Sequence, residues 1–247
     1  FGTYPFDEQW RPALAVLIFI ALFVVSSRRS FWRKELFLLW AAALIVIGCL
    51  MWGGFLGLSF VTQDRWGGLP VTLILATFGL AFGFPLGILV ALGRRSTIPL
   101  IRIFSIAFIE FWRGVPLITV LFFATYMLPL FVPGNFAVDG LLRALIGVAI
   151  FTGAYMAEVI RGGLAAVARG QAEAASALGL SWWKTTSLIV LPQALRYVIP
   201  GIVNSFISLF KDTSLVSIVA LFDLLGSLRA SFSDPNWSTP TTAFTGF

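Results

Sequence analysis

Apolar runs that approach or exceed the roughly 20 residues an α-helix needs to cross a bilayer recur along this chain. They are Pro12 to Ser27, Leu36 to Phe60, Gly68 to Gly93, Pro116 to Phe131, Leu141 to Ile160 and Thr185 to Phe210. In lipid every backbone polar group must find its partner inside the protein, so runs of this length are predicted to be helices. With 59% hydrophobic and 11% charged residues, and a mean hydropathy of +0.95, the chain lacks the polar surface of a soluble domain. The predicted fold class is an all-α polytopic membrane protein.

Composition also excludes several chemistries. There is no histidine, which removes the commonest general base and metal ligand. The single cysteine, Cys49, lies within an apolar run, so neither a disulfide framework nor a thiolate metal cluster is available. No Ser/Lys or paired-Asp arrangement within a span suggests an intramembrane enzyme. The formal charge of +6 sits in short segments between spans and not in a nucleic-acid-binding patch. Tryptophans near predicted span ends (Trp10, Trp32, Trp66, Trp112, Trp182, Trp237) read as an interfacial belt.

Those basic segments orient the chain. Residues 28–34, 94–102 and 161–184 are rich in Lys and Arg, whereas residues 1–10, 62–66 and 133–140 carry at most one. By the positive-inside rule the rich loops are cytoplasmic and the N-terminus is outside. Arg28, Arg29, Arg33 and Lys34 form the first basic loop, and Pro133-Gly134-Asn135 reads as a turn on the other side. Pro99 to Trp112 is predicted to be an interfacial helix leading into the Pro116 span. Gly79, Gly83 and Gly87 give the third span a smooth face for a neighbouring backbone, and Pro192 and Pro200 are expected to break the 185–210 span. Ser214 to Leu228 is too short for a confident crossing. Arg229 to Pro240 is then expected outside, with a final span missing beyond Thr241 to Phe247; the chain is expected to be trimmed at both ends.

The hydrophilic loop 161–184 holds the most specific pattern. Glu173-Ala174-Ala175 is followed after three residues by Gly179, and after nine more by Ile189, one residue, then Leu191-Pro192. Gln171 to Leu178 is alanine-rich, with high helix propensity. Gly179 can close that helix in the left-handed conformation, and Ser181 can cap the next one. A short helix with small residues on one face suits a groove in a partner, with Glu173 offering a charge-assisted hydrogen bond.

This spacing resembles the EAA signature of ABC-importer permease subunits. Gly68-Leu69-Pro70-Val71-Thr72-Leu73, Arg113-Gly114-Val115-Pro116-Leu117, Ala154-Tyr155-Met156-Ala157-Glu158-Val159-Ile160-Arg161-Gly162-Gly163 and Lys211-Asp212-Thr213-Ser214-Leu215 resemble the successive signatures of polar amino acid permeases, the histidine/glutamine-type branch. Val115 stands where the family commonly has Thr. The resemblance implies a five-helix permease core over residues 61–247, with residues 1–60 an extension of two transmembrane helices similar to the longer general L-amino-acid permease subunits. It implies ATPase coupling through Glu173, Ala174, Ala175 and Gly179. The implied partners are two ABC ATPase subunits, a second permease subunit (a related chain rather than a second copy), an external solute-binding protein, a polar amino acid and the bilayer of a bacterial plasma membrane. ATP and Mg are expected in the partner ATPase, since this chain has no phosphate-binding Gly-x-x-x-x-Gly-Lys-Ser/Thr loop; no cofactor, metal or nucleic acid is expected on the chain itself.

Two further constellations stand out. Glu110-x-x-Arg113-Gly114 and Glu158-x-x-Arg161-Gly162 repeat one motif at cytoplasmic span ends. At i,i+3 each pair can neutralise itself; the sharper expectation is that the four charges cross-pair between helices and hold a cytoplasmic gate closed. Lys211, Asp212, Thr213 and Ser214 are candidate substrate-pathway residues, because ionisable groups at a membrane helix end are functional when they face a cavity. The alternative is that Lys211 and Asp212 snorkel at the outer interface. Asn204 and Ser208, one turn apart, either extend that polar stripe or hydrogen-bond between helices. The function expected is a motor-driven, alternating-access pore for polar L-amino acids; the alternative is a secondary transporter or channel working without an ATPase.

Overall fold

The computed structural model describes residues 2–28, 34–55, 57–131, 139–232 and 239. Its described residues form a helical protein with five helices long and apolar enough to cross a membrane, or six if a bent pair counts as one span. Arg29, Arg33 and the Lys34 side chain, Trp32, the Pro133-Gly134-Asn135 turn, Trp237 with most of the 229–240 segment, and residues 241–247 lie outside the described residues. The chain groups into two compact units: residues 1–75, 127–143 and 213–247 in one, residues 76–126 and 144–212 in the other.

In the first unit, α1 (Trp10–Ser27) packs on α2 (Lys34–Trp52). Arg11 joins them. It is fully buried, pairs with Glu8, and donates from Nε to the Leu50 carbonyl at 2.6 Å and from Nη1 to the Ser59 carbonyl at 3.0 Å. Leu50 is among the last residues of α2, whose carbonyls have no partner within the helix, so the guanidinium serves as an added C-cap. The Tyr4 hydroxyl donates to the adjacent Met51 carbonyl at 3.0 Å. Burial, offset only in part by the Arg11 charge, pushes that phenol up to about 12, so it keeps the proton it donates.

The second span was expected to reach Phe60, but α2 stops at Trp52. Gly53, Gly54 and Gly57 adopt positive φ angles of 66°, 82° and 78° and turn the chain back, so that the Val61 amide bonds the Trp52 carbonyl at 2.8 Å. The same unit holds a two-residue parallel pairing of β1 (Gly67–Gly68) with β2 (Phe222–Asp223). Asp223 Oδ1 accepts from the Gly226 amide at 2.8 Å, and so caps the N-terminus of the short helix over Leu224–Phe232.

In chain order, four helices supply the residues of the second unit up to Ala166. These are α3 (Leu69–Arg94), α4 (Pro99–Gly114), α5 (Leu117–Phe131, with a π-turn at Phe123–Met127) and α6 (Gly140–Ala166). Then follow α7 (Arg169–Ala177) and the long α8 (Trp182–Val219). Val90, Ala91, Ile109, Met156, Ala157, Ile160, Leu164 and Ala194 form the buried cluster. The glycine stripe packs as expected: a Cβ at Gly79, Gly83 or Gly87 would lie 2.8, 2.9 or 2.6 Å from Val148, Thr152 or Met156 of α6. α4 and α5 are bent by 100° at Val115-Pro116, which matches the expected approach helix followed by a crossing.

Two boundaries differ from expectation. α6 does not end at Ile160 but runs to Ala166, so Arg161 lies on the helix and the hydrophilic loop is shorter. The 185–210 span is not broken by its prolines. A π-turn over Thr186–Val190 precedes Pro192, and helix Leu191–Asp212 carries Pro200 in its interior before a 3-10 stretch over Thr213–Val219. Widening the turn relieves the clash of a proline ring with the preceding turn.

Candidate functional site

The chemistry-bearing residues of the second unit fall in three places. The first is α7 and its exit. The Gly179 φ of 74° places it in the left-handed region. The Leu180 amide bonds the Ala175 carbonyl at 3.1 Å and the Gly179 amide bonds the Ser176 carbonyl at 2.9 Å. This is the two-bond closure that a glycine after a helix permits. Ser181 occupies the N-cap position before Trp182, but its side chain makes no cap bond; its carbonyl receives the Thr185 amide at 2.9 Å instead. Ala175 is buried, whereas Glu173, Ala174 and Gly179 are exposed. α7 thus turns one small residue inward and leaves the glutamate and its neighbour free to meet something else. Leu178 (80% exposed) and Trp183 (72% exposed) extend that outward surface with apolar area. Beneath it lies a groove of about 490 Å³ whose wall includes Arg95, Arg169, Glu173, Trp182 and Thr185. Gln193 Nε2 donates to Gln171 Oε1 at 3.2 Å and ties α7 to α8.

The second place is an ionic cluster centred on Glu158. Its Oε1 accepts from Arg161 Nε at 2.9 Å, and Arg161 Nη2 also contacts it, so the within-helix pairing is formed. Of the cross-pairs expected between the helices, Glu158 with Arg113 is formed and Glu110 with Arg161 is not. Arg113 Nη1 is 3.9 Å from Glu158 Oε2, with the Arg113 guanidinium 5.6 Å from the Tyr155 ring centre. Glu110 does not pair with Arg113 but with Arg94, at 3.4 Å, and Arg94 also reaches Glu158 at 3.5 Å. Arg94 was expected only to mark a basic loop. Its role was not legible because the sequence separation to Glu158 carries no spacing signal.

The third place is a cavity of about 340 Å³ between α6 and α8. Asn204, Ser208 and Asp212, spaced by one turn each, line it from α8, with Phe151, Thr152 and Tyr155 opposite on α6. The Asn204–Ser208 stripe therefore does continue to Asp212. Lys211, Thr213 and Ser214 are not part of this lining: Lys211 is exposed, and Thr213 is buried where the helix tightens to 3-10 geometry. The α6 wall was missed, although Tyr155 sits in a quoted motif. Thr152 Oγ1 is buried without a hydrogen-bond partner among the described residues, leaving a polar atom unsatisfied beside the cavity. A carboxylate, an amide, hydroxyls and two aromatic faces can together hold a small zwitterion. On the expectation that this cavity lies on a substrate path, Asp212→Asn would raise the half-saturating substrate concentration about tenfold, as loss of one charged contact costs. Uptake kinetics at varied substrate check this; unchanged affinity and rate leave the residue a structural role.

Residues 83–247 match the family of binding-protein-dependent transport system inner membrane components. The chain is 52% identical over 243 residues to the inner membrane amino-acid ABC transporter permease protein YhdY of Escherichia coli K12, covering 96% of this chain and 65% of that protein. It is 51% identical to the glutamate/glutamine/aspartate/asparagine transport system permease protein BztC of Rhodobacter capsulatus, over 74% of this chain and 42% of that one. It is 36% identical to the probable glutamine permease GlnP of Bacillus subtilis, over 65% of this chain and 72% of that one. The chain thus spans less than two thirds of the first two relatives' length. Among solved structures, an amino acid ABC transporter crystallised with histidines aligns with a TM-score of 0.62 and 29% identity, over 72% of this chain and 82% of that one. An inward-facing MetNI methionine ABC transporter aligns with a TM-score of 0.54 over 71% and 82%; at 18% identity it speaks for the fold alone.

Proposed function

The chain belongs to the family of binding-protein-dependent transport system inner membrane components, and from that membership we propose that it is the pore subunit of an ATP-driven importer of polar L-amino acids. The observation that carries this reading is α7, a closed short helix that presents Glu173 and Ala174 outward while Ala175 anchors it. Such an element suits a groove on a separate ATPase. ATP and Mg are then bound by the partner. Two ATPase subunits, a second and related permease chain, and an external binding protein that delivers the amino acid complete the assembly.

In this reading the N-terminus is outside, and loops 28–34, 94–102 and 161–184 face the cytoplasm, in agreement with the Lys and Arg distribution. ATP binding favours one conformer of the motor, α7 carries that preference into the membrane helices, and the pore opens outward. The cluster of Glu110, Arg113, Glu158 and Arg161 holds the cytoplasmic side closed. The cavity at Asn204, Ser208 and Asp212 lies on the substrate path, with Lys211, Thr213 and Ser214 at its end. The test is purification through a tag on this chain, followed by mass spectrometry of the subunits. An ABC ATPase, a related permease and a bound polar amino acid are the expected result. Isolation of the chain without an ATPase, together with uptake driven by an ion gradient, would sink the reading in favour of a secondary transporter.

A further inference from the structure

The last residue of α3 and the one after it are both arginines, and each grips a different helix. Arg95 Nη1 donates to the Leu164 carbonyl at 3.3 Å. α6 ends at Ala166, so that carbonyl is among the four that a helix C-terminus leaves without partners, where a cation is favoured. Only Val167 and Ala168 separate the end of α6 from the start of α7. Arg94, one residue earlier, stands 3.4 Å from Glu110 Oε1 on α4 and 3.5 Å from Glu158 Oε2 on α6. Among the described residues it is the one cation within 4.0 Å of both carboxylates, and the one ion-pair partner of Glu110. The end of α3 is also pressed onto α4: a Cβ at Gly93 would meet the Ser105 side chain, which is itself bonded to the Ile101 carbonyl at 2.8 Å.

We propose that Arg94 and Arg95 are the positioning residues that transmit the movement of α7 to the ionic cluster, Arg95 by holding the C-terminal turn of α6 and Arg94 by bridging α4 to α6. This rests on the reading of α7 as the motor contact. A displacement of α7 pulls on the α6 turn that Arg95 caps. The adjoining residue then changes its share between two carboxylates that it now contacts at nearly equal distance. Coupling between sites needs an element with two discrete arrangements, and Arg94 with one or both glutamates engaged is such an element. Removing Arg94 leaves Glu158 with Arg113 and Arg161 but strips Glu110 of its partner, so α4 loses its ionic tie to the end of α3 while α6 keeps its charge balance.

The experiment uses the assembled complex in proteoliposomes and reads amino acid imported per ATP hydrolysed. Arg94→Gln and Arg95→Gln are each expected to lower that ratio about fivefold while hydrolysis continues. Arg102→Gln, which removes an exposed charge on α4 outside the network, is expected to leave it unchanged. The double variant Arg94→Gln/Glu110→Gln is expected to be no worse than Arg94→Gln alone, since both remove one contact. If Arg94→Gln does not assemble with the motor, Glu110→Gln breaks the same contact from its other end and is read identically. An unchanged ratio in these variants, an equal loss in Arg102→Gln, or additive losses in the double variant each overturn the inference. A wild-type complex that imports without hydrolysing ATP overturns the functional reading, and this inference with it; a coupled wild type with insensitive Arg94 overturns this inference alone.

Discussion

Leucine at position 87 is expected to abolish the folded protein, and alanine there to destabilise it. The Cβ that alanine adds would stand 2.6 Å from Met156 Cβ and 3.0 Å from the Ala157 amide nitrogen, and both residues are fully buried. No rotamer change relieves a clash with backbone and Cβ atoms, so α3 and α6 must separate. Overpacking of this kind costs about 1–3 kcal/mol for a small addition, and a whole leucine side chain more. The comparison that isolates the cause is Gly162→Ala, whose added Cβ meets nothing within 4 Å. Both substitutions gain about 1 kcal/mol of helix propensity, yet they are expected to shift the midpoint of thermal unfolding in detergent in opposite directions. Equal shifts would mean that the glycine face is not a packing surface.

Glu173→Arg is expected to remove the ATPase from the purified complex, with a loss of at least about tenfold in its recovery, because a reversed charge at a docking contact both loses a partner and repels it. Glu173 is exposed and the α7 backbone is closed at Gly179, so the helix survives the change. That separation of folding from docking is what makes the variant informative. Unaltered thermal stability with the motor lost is the expected pair of results. Full retention of the motor would place the contact elsewhere on the chain.

Much of the architecture was legible because bilayer thickness makes long apolar runs unambiguous. α1, α3 and the bent pair α4 and α5 follow the sequence limits to within a few residues. The errors have physical causes. Gly53, Gly54 and Gly57 are as compatible with an apolar run as with a turn, so hydropathy carried the second span through them. Charges at Glu158 and Arg161 end the apolar run but not the hydrogen bonding, and α6 continues past them. A proline within a membrane helix reads as a break, but one π-turn accommodates it.

The sites divide along the same line. Gly179 was legible because its left-handed backbone is a local requirement, and the Asn204, Ser208 and Asp212 stripe because one helical period generates it. Arg94, Thr152 and Tyr155 owe their positions to helices brought together in space, for which a single sequence holds no spacing rule. Arg11 escaped notice for a related reason. At the edge of an apolar run it reads as an interfacial anchor, yet it is fully buried against the end of α2.

The central claim is that this chain is a pore whose opening is driven by a separate ATPase. Its most direct measurement is uptake of radiolabelled polar amino acids by proteoliposomes that hold the purified complex, with binding protein supplied on the outer face. Uptake is predicted to require enclosed ATP, to persist when ion gradients are collapsed, and to disappear in the complex carrying Glu173→Arg. Uptake that proceeds without ATP and stops when the ion gradient is collapsed would contradict it.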